Sequence, residues 1–320
     1  MLPLRWRRGR GWFRKLYLLW WTPVSLFAIW AAVRSVDAVH ALLGGDVGTL
    51  GILVALVQRK PLFVRYCGLW GKPETLAQHF WHWLLVRIAG GRNVVLATGG
   101  GDAPPSARNP AIRWIFSTSM RKAEMESLPR GSPWKPGEPL RLITVGWLRP
   151  DKNVDCVIRA LALVRAHCPS VMLDVVGDGD CRQGLERLAG DLGLGDAVVF
   201  RGALSHDGVI DALCHAHILC FPTRSEGFPK AVVEAMACGL PVITTRVSVL
   251  SHLIGDRNGV LLNDAQPAAM AQAILDLISD EHRYAQMAVS AQETARAWSL
   301  EAWSEQIGRV LSPAWGRLHG

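Results

Sequence analysis

No Cys-x-x-Cys pair occurs in this chain, and its 7 cysteines are scattered and odd in number. That argues against a disulfide frame and for thiols kept reduced in the cytosol. Cys214-His215-Ala216-His217 with Cys220 is the one cluster that invites a metal. Its ligands would have to converge, yet residues 218–221 read as a strand with alternating faces, so packing is the expected role and no metal is expected. Low-complexity segments are absent too. No alternation of basic and aromatic residues on a sheet marks an RNA-binding module, so nucleic acid is not an expected partner. After Gly177 and Gly179 the third glycine of a dinucleotide fingerprint is missing, because Gly184 comes late. The following strand ends on Arg201 rather than on a ribose-binding acid, which argues against NAD.

What is present is a folded chain. Its 320 residues, half of them apolar, allow about two domains, each with its own core. The net charge of +8 is concentrated at the start, in Arg5, Arg7, Arg8, Arg10, Arg14 and Lys15, and points to an anionic lipid surface and a negatively charged substrate. An uncharged run over residues 16–33 follows. Its length and basic flank suit a signal anchor, whereas Pro23 and the scarcity of leucine suit a helix packed on a sheet that touches a membrane through Trp and Arg. The second reading is preferred. The expected location is cytoplasmic and peripheral at the inner face of the plasma membrane, with an anchor as the alternative and a cleaved signal peptide least favoured.

Strands over 36–41, 62–66 and 94–97 alternate with helices over 49–58 and 75–88, which implies a parallel sheet. Arg65, Tyr66 and Gly68 leave the second of these strands at its C-terminal end, where ligands bind in such sheets, and are candidate acceptor contacts; a plain turn is the alternative. Residues 129–139, rich in proline, read as the linker. Strands at 141–145, 172–176, 198–200, 218–221, 242–244 and 260–262 then describe a complete doubly wound second domain, and two helices close the chain around a capping Ser299.

The most informative stretch is Ser225-Glu226-Gly227-Phe228-Pro229-Lys230, continuing through Glu234 to Gly239-Leu240-Pro241. A buried strand should give way here to a helix starting at Pro229 and stopping where Gly239 takes a left-handed conformation. The N–H groups of Gly227, Phe228 and Lys230 then stand at the positive end of a helix, a place for a phosphate or diphosphate. Glu226 can accept hydrogen bonds from hydroxyls joined to that phosphate. Glu234, about a turn and a half inside the helix, matches the two O–H donors of a cis-diol. The plain alternative is a surface helix with Glu234 paired to Lys230 in the weaker orientation.

This stretch resembles the Glu-x7-Glu motif of the retaining GT-B glycosyltransferases of family 4, the glycosyl transferases group 1. Gly146-Trp147-Leu148-Arg149-Pro150-Asp151-Lys152 is similar to that family's strand-end loop, normally Gly-Arg-Leu with a lysine further on; Lys152 holds the lysine's place, Trp147 the arginine's. Gly177-Asp178-Gly179 is similar to the family's donor-side glycine loop, and Phe200-Arg201-Gly202 to the segment near the nucleobase. The resemblance covers about half the chain. It implies an α/β fold of GT-B type, two Rossmann-like doubly wound domains facing a cleft with the first incomplete: a shortened acceptor domain over 1–138, a nucleotide-sugar domain over 139–298, and a helix over 299–320 returning to the first.

The implied activity is transfer of a hexose from a nucleoside-diphosphate sugar to a glycan or lipid-linked acceptor with retained configuration. No cofactor is implied. Lys152, Glu226 and Arg149 would be catalytic, and Gly146, Gly177, Gly179, Arg201, Gly202, Gly227, Phe228, Pro229, Lys230 and Glu234 would bind the donor. The absence of a recognisable carboxylate nucleophile fits the family's front-face mechanism. Trp147 and the short first domain mark a rival expectation, a degenerate or truncated homologue that binds nucleotide-sugar or a protein partner without efficient transfer.

Overall fold

The computed structural model describes residues 12–43, 45–67, 70, 73, 75–101, 103–128, 134–135 and 137–316, with side chains from residue 23 on. Much of the proline-rich linker, the opening basic cluster and Gly68 therefore lie outside the described residues. The chain divides into two compact units, one of Met1–Thr98, Asp102–Ile115 and Gln306–Gly320, the other of Gly99–Gly101 and Phe116–Glu305.

The first unit runs α1 (Trp12–Arg34), β1 (Val39–Leu43), α2 (Asp46–Val57), β2 (Leu62–Tyr66), α3 (Leu76–Ile88), β3 (Asn93–Thr98) and β4 (Arg113–Ile115). Its strands lie in the order β1-β2-β3-β4 and pair in parallel. α3 starts where Thr75 and Gln78 cap each other reciprocally, Gln78 N–H to Thr75 Oγ1 at 3.2 Å and Thr75 N–H to Gln78 Oε1 at 3.0 Å. The second half of α1 packs on this core through Ile29 and Val33. Among the described residues no helix is long and apolar enough to cross a membrane.

The first strand begins at Val39 rather than at residue 36. Lys60 Nζ donates to the carbonyl of Val36 at 2.6 Å, and the Val36 side chain is 41% exposed, so this residue is held outside the sheet. α2 likewise begins three residues earlier than its pattern indicates. β4 was not legible at all, since three residues carry too little pattern to register.

The second unit contains α4 (Lys122–Ser127), β5 (Arg141–Val145), a 3-10 turn (Pro150–Lys152), α5 (Val154–Arg165), β6 (Met172–Val176), α6 (Arg182–Asp191), β7 (Val198–Gly202), α7 (His206–Cys214), β8 (Ile218–Phe221), α8 (Lys230–Ala237), β9 (Val242–Thr245), α9 (Leu250–Leu253), β10 (Gly259–Leu262), α10 (Pro267–Ile278) and α11 (Glu281–Arg296). α12 (Leu300–Trp315) follows, with Ser299 Oγ accepting from Ala302 N–H at 3.2 Å as its cap. The order β10-β9-β8-β5-β6-β7, all parallel, is that of a complete doubly wound sheet. Strand order reverses at β5, which pairs with both β6 and β8. Such a switch point opens a crevice at the carboxyl ends of the strands. Both faces are covered, and β8 is buried at all four positions, as an unbroken apolar run in a parallel sheet requires.

Past the sheet the backbone contacts continue. Gly146 N–H donates to Val176 O at 3.0 Å, Leu148 N–H to Asp178 O at 3.0 Å, and Gly177 N–H to Gly202 O at 2.8 Å. Gly177 has φ +132°, and a Cβ there would stand 1.8 Å from Gly146 O. Between β6 and β7 the register slips, and Arg201 on the slipped stretch turns its guanidinium back on Asp174, Nε to Oδ1 at 2.9 Å and a second nitrogen to Oδ2 at 3.2 Å. That fork matches a carboxylate's two oxygens and locks the edge strand to its neighbour. Of the cysteine and histidine cluster, Cys220 is buried and His217 Nδ1 accepts from Arg141 N–H at 2.9 Å, whereas the His215 side chain is exposed.

Three stability predictions come from this unit. Gly177→Ala should destabilise the protein by about 3 kcal/mol or more, because backbone must move to admit the methyl group. Gly184→Ala, in α6 with nothing within 4 Å, should instead raise Tm by about 2 °C through helix propensity. For the ion pair, a double-mutant cycle of Arg201→Ala and Asp174→Ala in urea should return a coupling of about 1–2 kcal/mol, reduced by the exposure of the arginine. A coupling near zero would show that the pair holds nothing together.

Candidate functional site

Two loops, leaving β5 and β8, are tied into one body at the switch point. The residue after the 3-10 turn, Asn153, takes a left-handed conformation (φ 49°, ψ 39°), and its buried side chain donates Nδ2–H to Pro222 O at 2.7 Å. Arg224 N–H returns a bond to Asp151 O at 2.8 Å. Thr244 Oγ1 donates to Phe221 O at 2.7 Å, and Thr245 Oγ1 to Thr223 O, holding the β8 loop from the neighbouring strand. On this frame Lys152 Nζ meets the carboxylate of Glu226 and the carbonyl of Ser225, the latter at 3.2 Å, with Asp151 Oδ2 at 3.8 Å. The Lys152 and Glu226 side chains are 19% and 12% exposed, so the pair is mostly withdrawn from water while remaining reachable.

α8 starts one residue later than expected. Pro229 is its N-cap, with φ −86° and ψ 85°, and supplies no side-chain cap. Among the described residues no acceptor meets the N–H groups of Gly227, Phe228 or Lys230. The Phe228 ring faces inward against Trp298 and Phe116, with centroids 5.5 and 6.0 Å away, so this residue offers a ligand its backbone rather than its side chain. Gly239 ends the helix at φ +80° as its position requires.

Glu234, on the next turn of α8, is buried. It is not paired with Lys230. Ser119 Oγ donates to its Oε1 at 2.5 Å, and His206 Nδ1 stands 3.7 Å from the same oxygen. His206 Nε2 in turn lies 3.1 Å from Glu124 Oε1. The sequence reading missed Ser119 and His206. A local signal exists for His206: Ser205 caps α7, with Gly208 N–H to Ser205 Oγ at 3.2 Å, which fixes His206 in the first turn.

The remaining predicted residues divide. Gly146, Gly177, Gly179 and Gly202 gather at the ends of β5, β6 and β7, but the close approach that demands glycine at 177 and 179 is to neighbouring loop backbone: a Cβ on Gly179 would meet Leu148 O at 2.6 Å. Arg149 is directed to Asp151 Oδ1 at 2.9 Å, the carboxylate whose other oxygen lies 3.8 Å from Lys152 Nζ, and Arg201 is committed to Asp174. In the first unit Arg65 and Tyr66 are consecutive on β2 and so face opposite ways. Tyr66 lines a cavity of about 300 Å³ with Asp46, Gln78 and Trp81, and Arg65 does not. A cavity of about 750 Å³ between α5 and α6 shares only Arg149 with the predicted set.

This arrangement offers a fixed cation, an uncapped helix end and two carboxylates around one crevice, chemistry suited to a diphosphate flanked by hydroxyl-bearing groups. Comparison with known proteins places the chain in context. Over 170 residues it is 30% identical to a GDP-mannose-dependent alpha-(1-6)-phosphatidylinositol monomannoside mannosyltransferase of Mycolicibacterium smegmatis, covering 51% of this chain and 44% of that protein. It is 34% identical over 177 residues to a D-inositol 3-phosphate glycosyltransferase of Salinispora tropica, covering 52% and 36%. The chain thus spans less than half the length of the curated relatives it matches.

In fold it is similar to Anabaena HepE, solved with UDP and glucose (TM-score 0.73, 20% identity, 91% of this chain and 82% of that one), and to a glycosyltransferase of Rickettsia africae (TM-score 0.72, 14% identity, 98% and 85%). These likenesses bear out the GT-B-like fold. The model of the family described as glycosyl transferases group 1 matches residues 129–294, from the linker to near the end of α11, and takes in Lys152, Glu226 and Glu234. The match takes in more than half of the sequence, and the chain belongs to the glycosyl transferases group 1.

Proposed function

We propose that the protein transfers a hexose from a nucleoside-diphosphate sugar to a hydroxyl of a glycan or lipid-linked acceptor, with retention at the anomeric carbon and without metal or cofactor. The observation that carries this reading is the Lys152–Glu226 pair beside the uncapped end of α8, with Glu234 on the turn behind it. A diphosphate entering there competes with Glu226 for Lys152 and takes the N–H groups of Gly227, Phe228 and Lys230. Glu226, released from its cation, turns to hydroxyls of the sugar, and Glu234 accepts the ribose diol on the oxygen that Ser119 does not occupy.

As the C1–O bond breaks, negative charge grows on the diphosphate, where Lys152 and the helix end already stand. No reorganisation is needed at that moment. In this reading Glu226 grips the sugar rather than attacking it, and the acceptor oxygen enters on the face that the diphosphate leaves. Residues 1–138 would hold the acceptor, 139–298 the donor, and 299–320 would return to the first part. The named relatives act on inositol phosphate and phosphatidylinositol monomannoside, which supports an anionic or lipid-linked acceptor here, and the basic start of the chain suits peripheral attachment to the inner, anionic face of a membrane.

A thermal-shift panel of UDP, GDP, ADP and their common sugar conjugates tests the donor side: one diphosphate should stabilise the wild type, and Glu234→Ala should lose most of that stabilisation. Stabilisation by none would remove the donor assignment. In transfer assays Lys152→Ala should lower turnover more than tenfold, over about 1.4 kcal/mol of transition-state stabilisation, and the product anomer read by NMR should match the donor's. Unchanged kinetics in both variants, or an inverted product, would overturn the mechanism. Membrane-bound protein should be released by high salt or carbonate; recovery solely in the resistant fraction would establish an integral anchor instead.

A further inference from the structure

Trp147 is 74% exposed, at the end of β5 and beside the loop that carries Lys152. Its position is enforced by its neighbours. Gly146 N–H bonds to the last residue of β6, Val176, and Leu148 N–H to Asp178 in the loop after it, and the Leu148 side chain is buried in the core, so in this extended segment the intervening side chain must face outward. Arg149 N–H closes on the Trp147 carbonyl at 2.9 Å, which fixes the far side of the turn. Among the described residues no ring and no cation packs on the indole. A large apolar surface is thus held in water on the loop that leads from β5 to Lys152.

Resting on the donor reading above, we infer that Trp147 is the platform on which the donor's hexose ring stacks through the apolar C–H face of the pyranose. Strand order decides between the two rings of the donor. β5 lies directly beside β8, whose loop brings Glu226 to Lys152, so the end of β5 is where diphosphate and sugar meet. The nucleobase is expected at the end of β7, two strands and about 10 Å further along the sheet. An indole offers the sugar what carboxylates and N–H groups do not, a flat surface that excludes water from the C–H face while leaving the hydroxyl edge to Glu226.

The test measures affinities by calorimetry for UDP with UDP-glucose and GDP with GDP-mannose, on wild type, Trp147→Phe, Trp147→Ala and Trp147→Arg. Because the ring is exposed, Tm should stay within about 2 °C in all three variants, so the comparison is made on folded protein. For whichever base binds, Trp147→Ala should weaken the sugar conjugate about tenfold while free diphosphate changes less than about threefold, and Trp147→Phe should retain conjugate binding. Equal loss for conjugate and diphosphate would assign the ring to the base or the loop and overturn the inference, as would retention of conjugate binding in Trp147→Ala or full rescue by Trp147→Arg. Failure of every diphosphate to bind wild type would instead sink the donor reading itself.

Discussion

Parallel strands can stay hydrogen-bonded beyond the last residue of their sheet only if no side chain stands between them. In the second unit the loops after β5 and β6 and the end of β7 meet that condition through Gly177 and Gly179, where a Cβ would stand 1.8 Å from Gly146 O and 2.6 Å from Leu148 O, and they run on as a second, short backbone ladder. Everything at the crevice depends on this. The ladder sets the level at which Leu148 enters the core, which in turn sets where Trp147 points and where the 3-10 turn delivers Lys152. The glycines commonly associated with ligand approach are therefore needed first for the approach of protein to protein.

The Lys152–Glu226 pair is the electrostatic counterpart of that frame. Two oppositely charged side chains, mostly shielded from water, each supply the partner that the other would lack if one were removed. Neither group is held by a second close carboxylate or cation among the described residues: beside Glu226, Lys152 meets a carbonyl, the more distant Asp151 and the Phe221 ring at 5.9 Å, and Glu226 sits on the loop rather than in the helix. The Arg201–Asp174 fork is different, with both carboxylate oxygens and two guanidinium nitrogens consumed, and it stays part of the scaffold.

The sequence made the second unit readable because its strands are short, mostly apolar runs and several of its turns carry glycine or proline where left-handed or uncapped backbone is needed. The motif around Glu226 and Glu234 was legible for the same reason: Gly227, Pro229 and Gly239 punctuate it. Contacts made across the fold were not legible. Nothing in one dimension shows that Ser119 reaches Glu234, that Phe228 turns inward to Trp298, or that Arg149 bends to Asp151. The first unit was read less well, because β4 is only three residues long and a lysine side chain, not a pattern, decides where β1 begins.

The bond from Asn153 to Pro222 spans 69 positions of the chain and joins loops whose strands are neighbours only once the sheet has formed. The crevice therefore has no existence as a local motif. It appears in the same cooperative step that pairs β5 with β8, after the entropy of closing a long loop has been spent. A molecule that recognises Lys152 and the end of α8 together senses whether the middle of this sheet is assembled, and its binding is felt as resistance to unfolding by the sheet as a whole.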